Sequence, residues 1–226
     1  MPGVRTAFGT AIILVPALGA CGPQIGALLY HAGLHPKVKV KAKCELTTGP
    51  LMILVDDDQE LLDSPRTRQY LVSALAREFQ IHGINTNVID NREVDTLRQR
   101  DPKFEDRGCR EVGRQLAAEQ VVWLQIESFR ASIKPEDLDQ RPEFAVTVKV
   151  INALAEKRED VRIWPDATDG HRVIAIETTH AVQQSRSKDE LAKKLATNLA
   201  HAVANLFRNY EIDQDEAERE SRETPR

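Results

Sequence analysis

Apolar residues fall in two dense runs along the chain. Leu51-Met52-Ile53-Leu54-Val55 is continuous, and Val121-Val122-Trp123-Leu124-Gln125-Ile126 is broken only by Gln125. Short runs without alternation are the pattern of strands buried on both faces. Elsewhere the period changes. Phe144, Val146, Val148 and Val150 alternate with other residues, which predicts a strand with one buried face. Residues 86–89, 161–164 and 173–179 are predicted as shorter strands. Lys37-Val38-Lys39-Val40-Lys41-Ala42-Lys43 also alternates, and its lysines suit a half-exposed edge strand.

Between these runs the spacing becomes helical. Leu71, Leu75 and Phe79 recur every four residues with Val72 beside them, behind Ser64 as N-cap and Pro65 in the first turn. His82-Gly83 stops that helix. Asp90 or Asn91 caps a second helix through Val94 and Leu97. Residues 110–119 form a third, after a polar loop at 102–108. Leu191, Leu195, Leu199, Ala202, Val203 and Leu206 form one stripe, predicting a long final helix over residues 188–210. The resulting fold class is α/β in the broad sense, an α+β sandwich: one mixed sheet packed by about four helices, with the long helix last. No internal repeat is visible.

The first 36 residues follow another pattern. A short start carrying Arg5 leads into the apolar stretch at 7–18, then Leu18-Gly19-Ala20-Cys21. This has the three parts of an export signal, and the tetrapeptide resembles the lipobox of bacterial lipoproteins. The resemblance implies cleavage before Cys21, a diacylglyceryl group on its thiol and acylation of the new amino group, palmitate included. Each buried acyl methylene contributes about 0.8 kcal/mol, so two or three chains anchor a protein stably. Gly22 rather than aspartate at the second mature position implies, by the same analogy, the outer membrane. The domain organisation read from the chain is a signal at 1–20, a lipid-anchored tether at 21–36, one domain at 37–210 and a disordered acidic tail at 211–226. The apolar start also reaches the length of an uncleaved membrane anchor, although Pro16, Gly19, Gly22, Pro23 and Gly26 interrupt it.

Composition narrows the function classes. Net charge is −4, which argues against a nucleic-acid-binding surface, and 5% aromatic residues argue against a stacking platform. Of three cysteines, Cys44 and Cys109 remain beside Cys21; they either pair in an oxidising envelope or stay free. Asp56, Asp57 and Asp58 end the first buried strand, where ligands bind in open α/β sheets. They are candidate ligands for magnesium or calcium, or a solvated loop favouring the following helix amino terminus. Trp164 is a candidate partner contact, or an edge residue packed on the last helix. No nucleophile elbow, phosphate loop or dinucleotide fingerprint appears, so no cofactor is expected. The six histidines read as surface or core residues.

Two resemblances follow from these motifs. Residues 51–58 and the following helix look like the opening of a two-component receiver domain. The position matching its phosphoacceptor is Gln125, an amide that cannot form an acyl phosphate. Over residues 51–210, the order of elements resembles a group of envelope lipoprotein domains: the amino-terminal domain of TolB, the penicillin-binding-protein activators and the curli-secretion lipoprotein. Thr86 to Arg92, the stretch Arg110-Glu111-Val112-Gly113-Arg114-Gln115-Leu116-Ala117-Ala118 and the strand beginning at Val121 carry this likeness. Glu119-Gln120 departs from it. The resemblance implies a non-catalytic module facing the periplasm, held to the membrane through Cys21, that binds other envelope proteins. A divalent-metal enzyme using Asp56 to Asp58, and a degenerate receiver, are the alternatives.

Overall fold

The computed structural model describes residues 37–104, 106–132 and 141–213. Cys21 and the signal, the tether and residues 214–226 of the predicted tail lie outside the described residues. The chain divides into a unit of residues 39–210 and a second unit of 1–38 and 211–226. β1 (Lys37–Val40) and β7 (Tyr210–Asp213) form a two-stranded sheet. The lysine-rich alternation therefore does produce a strand, but a shorter one than 37–43. Residues 211–213 are strand, not tail.

The main sheet has five strands. β2 (Leu51–Asp56) lies parallel to β3 (Gln120–Arg130), which lies antiparallel to β4 (Glu143–Asn152). β5 (Arg162–Trp164) and β6 (His171–Ile176) both pair antiparallel with β4, at opposite ends of it. This mixed order makes the domain α+β. It also rules out the receiver reading, because that doubly wound fold has a parallel sheet throughout.

α1 (Pro65–Ile81) starts where Ser64 Oγ accepts from the Arg66 amide, with Pro65 in its first turn. α5 (Lys188–Ala204) starts where Ser187 accepts from the Glu190 amide. These two helices cover one face of the sheet. Leu51, Ile53 and Val55 meet Val122, Leu124, Val146, Val148, Leu75, Phe79, Leu195 and Leu199 in the larger core. A fully buried leucine of this kind stabilises by about 1.5–3 kcal/mol relative to exposure. The predicted long helix ends at Ala204, passes through a 3-10 turn (Asn205–Phe207) and turns into β7. Leu206 and Phe207 therefore stay buried without helical geometry.

The second face is covered at one end only. α2 (Asn91–Arg100) and α3 (Cys109–Gln115) seal a smaller core of Met52, Leu54, Val94, Phe104, Val112, Val121 and Ile151. α4 (Thr179–Gln184) is a short helix after β6. The segment predicted as a strand at 86–89 makes only a parallel bridge, Val88 to Leu51. The helix predicted to reach residue 119 stops at Gln115, and Ala117 takes a positive φ of 55°. That turn brings the chain straight into β3. Cys44 packs against the larger core and Cys109 against the smaller, so the sheet separates them and both thiols are free.

Candidate functional site

Beyond the carboxyl end of β2 and over the middle of β3 the second face opens into two adjoining recesses. One, of about 260 Å³, is lined by residues including Asp56, Asp58, Arg98, Arg107, Cys109 and Trp123. The other, of about 310 Å³, is lined by Asp56, Asp58, Gln59, Gln125, Glu127 and Thr147 among others. Small-molecule pockets run from about 300 to 1,000 Å³. The two recesses stand at the small end of that range and share Asp56, Asp58 and Gln125 in their walls.

The register of the parallel pair builds the site. Leu54 stands beside Trp123 and Asp56 beside Gln125. The Trp123 indole N–H donates to Asp56 Oδ2 at 3.2 Å. Lys149, on β4, donates from Nζ to Gln125 Oε1 at 2.8 Å and lies 5.0 Å from the centre of the Trp123 ring. Further along the same face Thr147 donates to Glu127, and Arg172 Nε donates to Glu127 Oε2 at 2.7 Å. A ladder of paired polar side chains thus replaces the apolar packing that α2 and α3 provide at the other end.

The three consecutive aspartates do different things. Asp56 faces the recess and accepts from Trp123. Asp57 turns into its own loop, where its carboxylate accepts from the Leu61 amide at 2.8 Å and the Leu62 amide at 3.2 Å. Asp58 is exposed and lines both recesses. The geometry thus divides the metal candidates named from the sequence between one cavity wall and one loop.

The cationic side of the recess is also engaged. Arg98 donates to the Val55 carbonyl at 3.3 Å, pairs with Asp95 at 3.7 Å and lies 4.6 Å from the centre of the Phe104 ring. Arg107 bonds both Asp101 and Glu111. The amide of Lys103 and then Arg107 hold the Asp101 carboxyl below the usual carboxylate range, against a partial desolvation. Cys109 opens α3, a position whose dipole favours a thiolate. Burial wins over it: desolvation pushes the thiol up to about 11. Cys109 is therefore a protonated wall residue at neutral pH, not a nucleophile.

Trp164 is half-buried on the other face of the sheet, beside Val150 and against the larger core, its ring 5.1 Å from His171 and 6.3 Å from Phe207. Sequence reading placed Trp123 in the core and did not find Arg98, Arg107 or Lys149. Strand register places Lys149, while the packing of α2 and of the loop before α3 places Arg98 and Arg107, and no spacing along the chain encodes either.

No protein-family model matches the sequence, and no curated protein matches it. Among solved structures, the chain is similar to PelC from Paraburkholderia phytofirmans, at 15% identity and a TM-score of 0.45, over 76% of this chain and 98% of that one. Lipoprotein GNA1162 from Neisseria meningitidis aligns at 10% identity and a TM-score of 0.40, over 70% of this chain and 97% of that one. The LpoB C-terminal domain from Salmonella enterica aligns at 12% identity and 0.34, over 69% and 93%. The likeness is one of fold alone.

Proposed function

We propose that this chain is a lipid-anchored protein of the bacterial envelope that works by binding another envelope protein, without catalysis. The observation that carries the proposal is Leu18-Gly19-Ala20-Cys21, set behind an apolar stretch and ahead of a folded domain. Acylation of Cys21 tethers that domain to a membrane, and Gly22 favours the outer one, with the domain in the periplasm.

The polar face supports a binding role. Asp57 is committed to its loop, Asp56 to Trp123, and Cys109 stays a thiol. The exposed residues Asp58, Glu127 and Arg172 offer charges of both signs on a rigid sheet. Such a surface selects a partner by complementary charge and steers its approach.

Palmitate labelling of the wild type against Cys21→Ser tests the anchor, and equal labelling of the two overturns it. Capture from envelope membranes tests the binding face. The wild type is expected to retain a partner that Arg172→Glu with Lys149→Glu releases. Equal recovery by the charge-reversed chain moves the contact off this face.

A further inference from the structure

Away from the recesses, on the far side of the domain, three side chains converge where α1 meets α5. Glu78 and His82 stand one turn apart at the end of α1, and His201 faces them from α5. Glu78 Oε2 lies 3.3 Å from His82 Nε2 and 3.0 Å from His201 Nδ1. One ligand atom from each of the three lies within 4.8 Å of the others, the cluster of this kind among the described residues. We propose that Glu78, His82 and His201 form a binding site for a divalent transition-metal ion of the zinc class.

The donor set and the spacing both carry this. Two imidazoles and one carboxylate are borderline ligands that suit zinc, whereas magnesium and calcium prefer oxygen alone. Zinc binds such atoms at about 2.0–2.1 Å in a tetrahedron, which puts neighbouring ligand atoms about 3.3–3.4 Å apart. The two separations to Glu78 are already close to that. The remaining adjustment is to bring the two imidazoles toward each other, their rings now 6.4 Å apart between centres. With three protein ligands, a fourth position stays open for water or for a side chain from outside.

The site is also preorganised. Phe79, the residue after Glu78, is fully buried and meets Phe207 edge-on at 5.7 Å. Leu75, Leu199 and Val203 pack in the same core and hold the two helices in register. Ligands on packed helices keep their spacing better than ligands on loops. The imidazoles themselves reach solvent: the His201 side chain is 54% exposed and that of His82 28%. An ion can enter without any opening of the fold.

One neighbour must yield. Arg208 Nη1 lies 3.4 Å from His82 Nδ1, and a guanidinium can only donate. If Arg208 donates to Nδ1, a neutral His82 carries its proton on Nε2, toward Glu78. Coordination through Nε2 needs the proton on Nδ1, so the Arg208 tip has to swing aside. Asn205 Oδ1, which accepts from Arg208 Nε at 2.9 Å, and the Tyr210 ring, 5.5 Å away, hold the rest of that side chain. The sheet-side thiols offer little competition, since burial raises both Cys44 and Cys109.

Calorimetric titration of the full chain with zinc ions alone tests the proposal. One saturable zinc per chain is expected, together with a rise in Tm, because the ion binds only the folded pair of helices. His82→Ala and His201→Ala are each expected to lose both the saturable heat and the Tm rise, with unchanged far-ultraviolet dichroism. His201→Gln serves where the alanine variant does not fold. Absence of saturable binding by the folded wild type overturns the site. So does binding that persists in either histidine variant, which would assign the zinc elsewhere, His31 and His35 included.

Discussion

Trp123 and Asp56 are joined side chain to side chain across two parallel strands, indole N–H to carboxylate at 3.2 Å. Their strands pair with Leu54 beside Trp123, so the bond runs diagonally from β3 toward the end of β2. It ties the floor of the recess to its acidic wall. A hydrogen bond to a charged group contributes about 1.5–3 kcal/mol. Trp123→Phe removes the donor and keeps an aromatic ring. Denaturant unfolding is expected to show a loss of about 1–3 kcal/mol, cavity included. Asp56→Asn keeps an acceptor and is expected to lose less. An Asp56→Asn loss equal to that of Trp123→Phe would place the energy in the charge instead of the bond.

Gly113 explains one motif of the sequence physically. A Cβ added there would stand 2.7 Å from Val121 Cγ2 and 3.1 Å from Ala153 Cβ. The glycine lets α3 lie close on β3 and on the turn after β4. Gly113→Ala is expected to destabilise by about 1–3 kcal/mol through overpacking, despite alanine's better helix propensity of about 1 kcal/mol. A stabilised variant in chemical denaturation would mean that helix and strand stand further apart.

Cys109 and Cys44 are expected to alkylate slowly in the native protein at neutral pH. Burial raises both thiols, Cys109 to about 11, and Glu45 adds to the effect at Cys44. The thiolate is the reactive form. Iodoacetamide kinetics followed by mass spectrometry, native against urea-unfolded, are expected to show faster modification of both after unfolding. Native rates equal to unfolded ones at Cys109 would contradict its burial against the smaller core.

His171 carries a pH dependence. Burial is the main cause and the Lys43 ammonium, 3.2 Å from Nε2, the second; both hold its pKa below the ordinary 6.5. The unfolded chain therefore binds a proton near pH 6.5 that the folded chain refuses. The stabilisation is whole above 6.5 and declines as pH falls from there to the lowered value. Urea midpoints across that window are expected to fall more steeply for the wild type than for His171→Gln. Parallel curves would mean that His171 titrates as it does in the unfolded chain.

Much of the fold was legible because it rests on local periodicity. The apolar run at Leu51–Val55, the four-residue spacing of Leu71, Leu75 and Phe79, and the Ser64-Pro65 start all read correctly. The ends read less well. Residues 188–210 look like one helix because Leu206 continues the stripe, yet the chain leaves helical geometry at Ala204. Apolar spacing records only that Leu206 is buried, not the backbone that buries it. Asn85 left no signal at all. It is buried and donates to the carbonyls of Thr47 at 2.6 Å and Gly49 at 3.0 Å, while its own oxygen accepts from the Asn87 amide. An asparagine in a polar loop looks the same in sequence whether it faces water or staples a turn.

By itself the sequence determined the α+β class, the order of the main strands and the long helices, and the likeness of the segment ending in Cys21 to a lipobox. Those are local properties: a side chain's burial sets the period, and a motif is a linear string. The tertiary structure alone decided which polar groups meet. Strand register put Trp123 on Asp56 and Lys149 on Gln125, and helix packing put His201 against Glu78 and His82. His201 lies 123 residues from Glu78 along the chain. Contacts across such separations arise from how faces pack, and no local pattern in the sequence spells them out.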